Sequence, residues 1–437
     1  MKELLCADSN QYVVIDSSSN VGGIETLIVR VVSYLLKNGL SVSLLFLNSN
    51  SYVNRVLTES KGVTRTHFSI PYGLPYLSVN EGKGISERLN NCFSAESTLV
   101  LSSNLSHLQL ILHLNRSDVT VLNGFFHTES WVNELFVMHE KILPRKRNSL
   151  WSYQRALLAD LDYGAANWFM SDVVKKYHEF YYDVELSNSR VIPLPFDIPE
   201  IDAVGFDNAR KKRDMLKVLW LGRFTYFKNP SMKKTYEALQ RLVEKHKDLK
   251  VEFDLIGYGS EKYEKDIRKE VKTSGRLQVK YLGKIPPGKL PEVIAQYDVG
   301  VAMGTSALHV GGMRIPSILV DASDEKHIDQ IKGCWLHDAP VGFLGEGVYA
   351  DICGYTVEAR RELLTFFEEL LDLGTRSDTI GNRCYEYALK NYDENKIMPQ
   401  IIDAWTSSTF SPGDMEVFRH PPLKRFIRRT AKKILRR

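Results

Sequence analysis

Short apolar runs alternate with stretches of helical periodicity along the first half of the chain. The runs occupy positions 12–15, 41–47, 98–101 and 119–122, each bounded by polar or glycine-containing sequence. Between the first two, apolar residues from Ile24 to Leu36 recur near the 3.6-residue period of a helix, and Gly39 follows as a helix-ending residue would. Short apolar runs separated by helices predict a parallel, doubly wound α/β sheet.

The second half repeats this pattern. Strands are predicted at 218–221, 251–256, 279–282, 299–303 and 317–320, with helices at 232–245 and 290–297. Since Pro193–Pro199 is typical of a stiff connector, we predict two Rossmann-like domains, 1–197 and 198–394, facing a central cleft. A helix over 395–410 is expected to return toward the N-terminal domain, and 411–437 is expected to form a separate tail.

The composition is that of an ordinary globular protein, with 43% hydrophobic and 25% charged residues among 437 positions. It excludes a wholly disordered, collagen-like or coiled-coil chain. The five cysteines have no CxxC spacing, which argues against a zinc ribbon or thioredoxin-type motif and favours a reducing compartment. No secretory signal and no stretch long enough to span a bilayer is evident, so we expect a cytoplasmic protein.

The positive charge is concentrated at the C-terminus. Nine basic residues and no acidic ones lie between Arg419 and Arg437, while the whole chain has 57 basic and 53 acidic residues. Apolar positions from Leu423 to Leu435 fall on one face of the helix predicted there, which favours a surface helix on an anionic membrane. A nucleic-acid arm and a solvated tail are the alternatives. The predicted membrane contacts are Lys424, Arg425, Phe426, Ile427, Arg428, Arg429, Lys432 and Lys433.

Loops that follow the strands are the candidate sites, because ligands of open α/β sheets bind beyond the carboxyl ends of the strands. The loop after strand 218–221 has Arg223 and Lys228 five residues apart. An arginine can grip a diphosphate with two donors and a lysine adds a point charge, although two solvated surface cations are the alternative. Gly22 and Gly23 could let an anion approach a helix N-terminus, or could form a simple tight turn.

Three other loops offer weaker signals. The segment Gly257-Tyr258-Gly259 fits a nucleotide site or an ordinary turn equally well. Thr305 and Ser306 are expected to be N-caps of a helix suited to phosphate, with His309 one turn further as a contact. In the loop expected at 123–129, His127 could orient a transferring group or be a buried structural histidine. No HExxH, Walker A, GxSxG or EF-hand pattern appears, which removes those enzyme classes.

The order of these motifs resembles that of GT-B glycosyltransferases, and most closely the retaining glycosyltransferase family 4, whose members build bacterial surface polysaccharides. The resemblance extends from about Tyr12 to Asp403. It depends on these segments in order: Gly22-Gly23-Ile24-Glu25, the 218–230 segment with Arg223 and Lys228-Asn229-Pro230, 255–259, 279–283, Tyr297-Asp298-Val299-Gly300 and the strand opened by Pro316.

The resemblance implies roles for these positions. Gly22 and Gly23 would pack against the donor diphosphate, Arg223 and Lys228 would neutralise it, and His127 would lie near the transferred sugar. The remaining donor contacts would be Gly257, Tyr258, Gly259, Leu282, Gly283, Lys284, Thr305, Ser306, Leu308 and His309. No tightly bound cofactor or metal is implied, because the two cations would meet the charge of the departing diphosphate.

The sequence departs from the family at one point. The family has two glutamates eight positions apart, the second seven residues before the proline. Here His309 and Val301 occupy those positions. Either Thr305, Ser306 and His309 take over the role of the missing carboxylates, or donor binding is altered.

Taken together, the resemblance and the tail lead us to expect sugar transfer from a UDP- or GDP-linked donor. The acceptor would be a glycan or a polyprenyl-diphosphate-linked molecule at the inner face of the plasma membrane, without nucleic acid as a partner. Lipopolysaccharide, capsule or exopolysaccharide synthesis is the expected setting, and a hexosyl or N-acetylhexosaminyl unit the expected cargo. A nucleotide-sugar epimerase of the same fold and a non-catalytic scaffold subunit are the alternatives.

Overall fold

A computed structural model describes residues 10–17, 22–68, 79–93, 97–114, 116–131, 149–200, 215–373 and 377–414. The chain divides into two compact units. Unit 1 comprises Met1–Leu194 and Met398–Arg437, and unit 2 comprises Pro195–Ile397. The predicted basic tail helix, with its proposed membrane contacts from Lys424 to Lys433, lies outside the described residues. Within the described ranges, no helix is long and apolar enough to cross a membrane.

Unit 1 contains a seven-stranded sheet in the order β3-β2-β1-β4-β5-β6-β7, and every neighbouring pair is parallel. Its strands are β1 Asn10–Asp16, β2 Val42–Phe46, β3 Val63–His67, β4 Ser97–Ser102, β5 Val119–Phe125, β6 Asn167–Phe169 and β7 Arg190–Val191. Most side chains of the central strands are buried, because helices cover both faces of a parallel sheet.

Six helices connect these strands, and a seventh follows much later in the chain. They are α1 Gly23–Lys37, α2 Tyr52–Val56, α3 Val79–Asn90, α4 Leu105–Ile111, α5 Ser149–Tyr163, α6 Asp172–Tyr182 and α14 Glu394–Ser407, which begins in the last residues of unit 2. The ring of Trp405 packs edge-on against Tyr12 at 5.2 Å, and Val121 N donates to Phe410 O at 3.2 Å. The last described segment of the chain therefore packs against the sheet of unit 1.

Unit 2 contains a six-stranded sheet in the order β10-β9-β8-β11-β12-β13. Its strands are β8 Met215–Leu221, β9 Lys250–Ile256, β10 Leu277–Gly283, β11 Val299–Ala302, β12 Ser317–Val320 and β13 Gly333–Trp335. All pairs are parallel except that β13 runs antiparallel to β12. The α-helices assigned to this unit are α7 Asn229–Lys245, α8 Glu261–Glu270, α9 Leu290–Ile294, α10 Thr305–Gly311, α11 Gly347–Ile352, α12 Leu363–Leu373 and α13 Ser377–Asn391.

Two doubly wound, Rossmann-like α/β sheets were predicted, and the structure confirms this fold class. The main difference concerns β5, which continues to Phe125 instead of ending at Leu122. Asn123 and Gly124 are therefore strand residues, paired with Asn167 and Trp168 of β6, and the expected loop begins only after Phe125.

Candidate functional site

The loop that follows β8 continues the sheet pairing beyond the strand. Gly222 N donates to Ile256 O at 3.0 Å, and Phe224 N donates to Tyr258 O at 2.9 Å. On its other side, Ser323 N donates to Phe227 O at 3.1 Å. The loop with Arg223 and Lys228 is thus fixed by backbone bonds at the carboxyl edge of the sheet.

Two glycines make this close approach possible. A Cβ on Gly257 would lie 1.9 Å from Gly222 O, and a Cβ on Gly259 would lie 2.2 Å from Phe224 O. These distances exclude any side chain without movement of the neighbouring backbone. The sequence left these glycines open between a nucleotide site and an ordinary turn, and the structure shows that they make room for the loop containing Arg223.

Lys228 has an unusual electrostatic setting. Burial lowers the pKa of its ammonium to about 8, and the nearby charge of Arg223 acts in the same direction. Its Nζ lies 3.6 Å from the point that a Cβ on Gly222 would occupy, so the ammonium stays close to the loop backbone. Two cations in one partly dehydrated loop repel each other, and a bound anion would relieve both costs.

Three buried polar atoms in or beside this loop have no hydrogen-bond partner among the described residues. They are Nε1 of Trp220, Oγ1 of Thr225 and Oδ1 of Asn229. Trp220 is fully buried and Asn229 is 4% exposed. Because buried polar groups are normally paired, these atoms point to a polar ligand or ordered water at this loop.

The loops after β9 and β10 lie together. Gly257 N donates to Gly283 O at 3.0 Å, and Lys284 Nζ lies 5.0 Å from the centre of the Tyr258 ring. Gly283 has φ of 71°, a conformation that favours glycine. Leu282 is 41% exposed. The structure thus brings Tyr258 and the 282–284 segment into one region beside the cationic loop.

The loop after β11 differs from the expectation in its capping. Gly304, with φ of 66°, is the N-cap of α10, and it makes no side-chain cap hydrogen bond. Thr305 and Ser306 lie inside the first turn, so the expectation that they cap the helix was wrong. Leu308 is fully buried, and the ring of His309 packs edge-on against Phe196 at 4.6 Å. Both side chains thus contribute to packing within unit 2.

Glu346 is a candidate residue that the sequence analysis missed. Gly304 N donates to Leu344 O and Ala322 N donates to Gly345 O, both at 2.7 Å, so this segment lies at the carboxyl ends of β11 and β12. Burial raises the pKa of the Glu346 carboxyl to about 7, although Leu344 N donates to its Oε2 at 2.7 Å. The only sequence signal is glycine, since Gly345 has φ of 111° and turns the chain back to the sheet.

In unit 1, the structure places the remaining candidates at the carboxyl ends of β1 and β5. Gly22 is the N-cap of α1 in extended conformation, and Gly23 begins the helix. A Cβ on Gly23 would meet no atom of the described residues within 4 Å, so no described segment requires glycine there. The approach of an anion to this helix start stays a prediction.

His127 follows β5 in a turn that the structure describes as far as Trp131. Its Nδ1 accepts a hydrogen bond from Glu129 N at 3.1 Å, so in the neutral ring the proton lies on Nε2. The Nε2–H group is the donor that such a ring can offer to an oxygen. Among the described residues, no group of three or more His, Cys, Asp or Glu side chains could hold a metal ion.

No protein-family profile and no curated protein matches the sequence. Solved structures do resemble it. A glycosyltransferase from Rickettsia africae is 13% identical with a TM-score of 0.60, covering 91% of this chain and 98% of that chain. WaaG, a glycosyltransferase involved in lipopolysaccharide biosynthesis, is 12% identical with a TM-score of 0.53, covering 91% and 99%.

A third solved structure is a variant of TarM from S. aureus in complex with fondaparinux, alpha-GlcNAc-glycerol and UDP. It is 9% identical with a TM-score of 0.56, covering 91% of this chain and 99% of that chain. At such low identities these likenesses concern architecture, which spans nearly the full length of each protein. The chain therefore has the GT-B fold.

Proposed function

We propose that the protein is a glycosyltransferase that moves a sugar from a nucleotide-sugar donor to a glycan or lipid-linked acceptor. The observation that supports this most strongly is the loop after β8, which contains Arg223 and the buried ammonium of Lys228. Buried polar atoms in or beside this loop have no hydrogen-bond partner in the part of the chain that the structure describes. A nucleoside diphosphate matches this loop in charge and in hydrogen-bonding capacity.

Two cations in one loop suit the chemistry of glycosyl transfer. In glycosyl transfer the bond between the anomeric carbon and the diphosphate oxygen breaks, and the negative charge on the leaving diphosphate increases. The Arg223 guanidinium and the Lys228 ammonium stabilise that charge without a proton transfer. The remaining donor contacts are proposed to be Gly22, Gly23, the 257–259 segment, the 282–284 segment, Thr305, Ser306, Leu308 and His309.

His127 is proposed to lie near the transferred sugar. Because its Nδ1 accepts from Glu129 N, its Nε2–H is oriented as a donor to a hydroxyl of the sugar. Retention of the anomeric configuration follows only from the resemblance to glycosyltransferase family 4. No tightly bound cofactor or metal takes part in the mechanism that we propose.

The setting of the reaction is proposed on separate grounds. WaaG is described as acting in lipopolysaccharide biosynthesis, and the basic, amphipathic C-terminal sequence suits an anionic membrane. We therefore place the reaction on a surface polysaccharide at the inner face of the plasma membrane. The rival assignments are a nucleotide-sugar epimerase and a scaffold subunit without activity.

The experiment that separates these assignments is sugar release and transfer from a panel of UDP- and GDP-sugars. The wild-type protein should consume one donor and produce the free nucleoside diphosphate. The double variant R223M/K228M should be at least about a hundredfold slower, since two charge-assisted contacts to the leaving group are lost. K233M is the matched control and should keep wild-type activity. Lys233 lies on α7, and its ammonium pairs with Glu270 and Glu325. Epimerised donor without transfer, or no turnover by the wild type, would refute the proposal.

A further inference from the structure

The turn formed by residues 127–131 is held from outside by side chains of two helices. Nε2 of Gln154, on α5, donates to Trp131 O at 3.0 Å. The hydroxyl of Tyr182, on α6, donates to the same oxygen at 2.9 Å. His178 approaches the preceding carbonyl, with its Nε2 2.7 Å from Ser130 O.

This turn needs such support. Trp131 has φ of 66°, a left-handed conformation that is uncommon for a large aromatic residue. Within the turn, Ser130 N donates to His127 O at 3.0 Å. A turn with a bulky residue in this strained conformation keeps its shape only if neighbouring elements fix it.

His178 has a second contact, which competes with Ser130 O for the N–H group of the ring. Its Nδ1 lies 2.7 Å from Val174 O, so both ring nitrogens face carbonyl oxygens. A neutral imidazole has a single N–H group and can donate to only one of the two. Contact with Ser130 therefore depends on which nitrogen holds the proton.

The surroundings of His178 are apolar and aromatic. The ring is fully buried and meets Phe125 of β5 edge-on at 4.8 Å and Phe169 of β6 at 5.6 Å. The titratable groups around it are His127 of the turn and Tyr177 and Tyr182 of its own helix. No charged partner faces it in the described part of the chain. Burial lowers the pKa of His178, although the two carbonyls act in the opposite direction.

We propose that His178 is a positioning residue for His127, and that its Nε2–H, donated to Ser130 O, fixes the turn in which the Nδ1 of His127 accepts from Glu129. The tautomer with the proton on Nδ1 donates instead to Val174 O and loses the bond to Ser130 O. The assignment of His127 to sugar transfer comes from the proposed function, but the link between the two histidines stands on the geometry alone.

The test is nitrogen NMR of the imidazole rings in the full chain, which reports the tautomer of each histidine. In the wild type, His127 should show the Nε2–H tautomer at neutral pH. In H178F, which keeps a ring of similar size among Phe125 and Phe169, His127 should give averaged signals of both tautomers. H178Q retains one N–H donor and should restore the wild-type signals of His127. The control H337Q changes a half-buried histidine of unit 2 and should leave them unaltered.

A folded H178F protein with the wild-type signals of His127 would overturn the proposal. If H178F does not fold, H178L supplies the same test, because leucine also lacks the N–H group that is proposed to donate to Ser130 O. Unaltered signals of His127 in a folded H178L protein would then count equally against the proposal.

Kinetics provides a second measurement. A purely structural role of His178 would not lower kcat while leaving KM for the sugar donor unchanged. H178F should lower kcat about tenfold, as expected for one lost hydrogen bond, and should leave KM for the sugar donor nearly unchanged. H178Q should recover most of the rate. Coupled NMR signals in a protein that turns over no nucleotide-sugar would sustain this inference and reject the proposed function.

Discussion

At the scale of single residues, the sequence predicted that Arg223 and Lys228 lie in one loop after a strand. It did not reveal why glycines lie beside that loop. Arg223 and Lys228 follow a buried strand, and the structure places them in one loop at the sheet edge. Gly257 was left open between a nucleotide site and an ordinary turn, and the structure adds that its missing side chain makes room for Gly222 O. No local sequence signal could reveal this, because the two residues are 35 positions apart.

Replacement of Gly257 by alanine tests this explanation. In G257A the new methyl group collides with Gly222 O, so the loop with Arg223 must shift away from β9. We expect a loss of about 1–3 kcal/mol in the free energy of unfolding, typical of overpacking, measured by urea denaturation. G288A is the control, because a Cβ there meets nothing within 4 Å. Equal stability of the two variants would show that the close approach does not constrain the loop.

At the scale of elements, apolar runs predicted the central strands well. Buried strands of a parallel sheet need continuous apolar sequence, so Ser317–Val320 was predicted with the bounds that the structure shows. The end of β5 was misjudged because Asn123 and Gly124 are poor strand formers, yet pairing with β6 extends the strand through them. The antiparallel edge strand Gly333–Trp335 was missed since three residues give no periodicity.

Helix capping shows a related limit. Thr305 and Ser306 have the side chains that favour N-caps, yet the cap is Gly304. With φ of 66°, the backbone at this point demands glycine. The backbone path between β11 and α10 therefore overrode side-chain preference. Glu346 was overlooked for a similar reason, because long-range backbone bonds bring its segment to the sheet edge.

At the scale of the whole molecule, the order of weak motifs predicted the GT-B fold, although each motif alone was ambiguous. The likeness to solved glycosyltransferases over about nine-tenths of the chain agrees with that prediction. What the sequence alone could not provide are the side-chain contacts inside each unit, such as those of His178 in unit 1 and of Glu346 in unit 2. These depend on helices and loops that become neighbours only in the folded chain.

The C-terminal sequence leads to a prediction about the intact protein. Deletion of residues 415–437 should leave the unfolding temperature nearly unchanged and abolish co-sedimentation with phosphatidylglycerol vesicles. The expected cause is the loss of nine basic residues beside an apolar stripe. A variant with Lys424, Arg425, Arg428 and Arg429 changed to glutamine should bind such vesicles more weakly than wild type and be more sensitive to salt. Undiminished sedimentation of the deletion protein would reject a membrane role for the tail.

The most direct test of the central claim is the pH dependence of nucleoside diphosphate binding. Because the pKa of Lys228 lies at about 8, its ammonium is charged below that pH and loses its proton above it. Calorimetric titration with UDP and GDP should show the preferred diphosphate binding about tenfold more weakly at pH 9 than at pH 7. K228R, which stays charged, should show no such change, and K228M should bind weakly at both pH values. Equal affinity of wild type and K228M at pH 7 would contradict the claim that this loop holds the donor diphosphate.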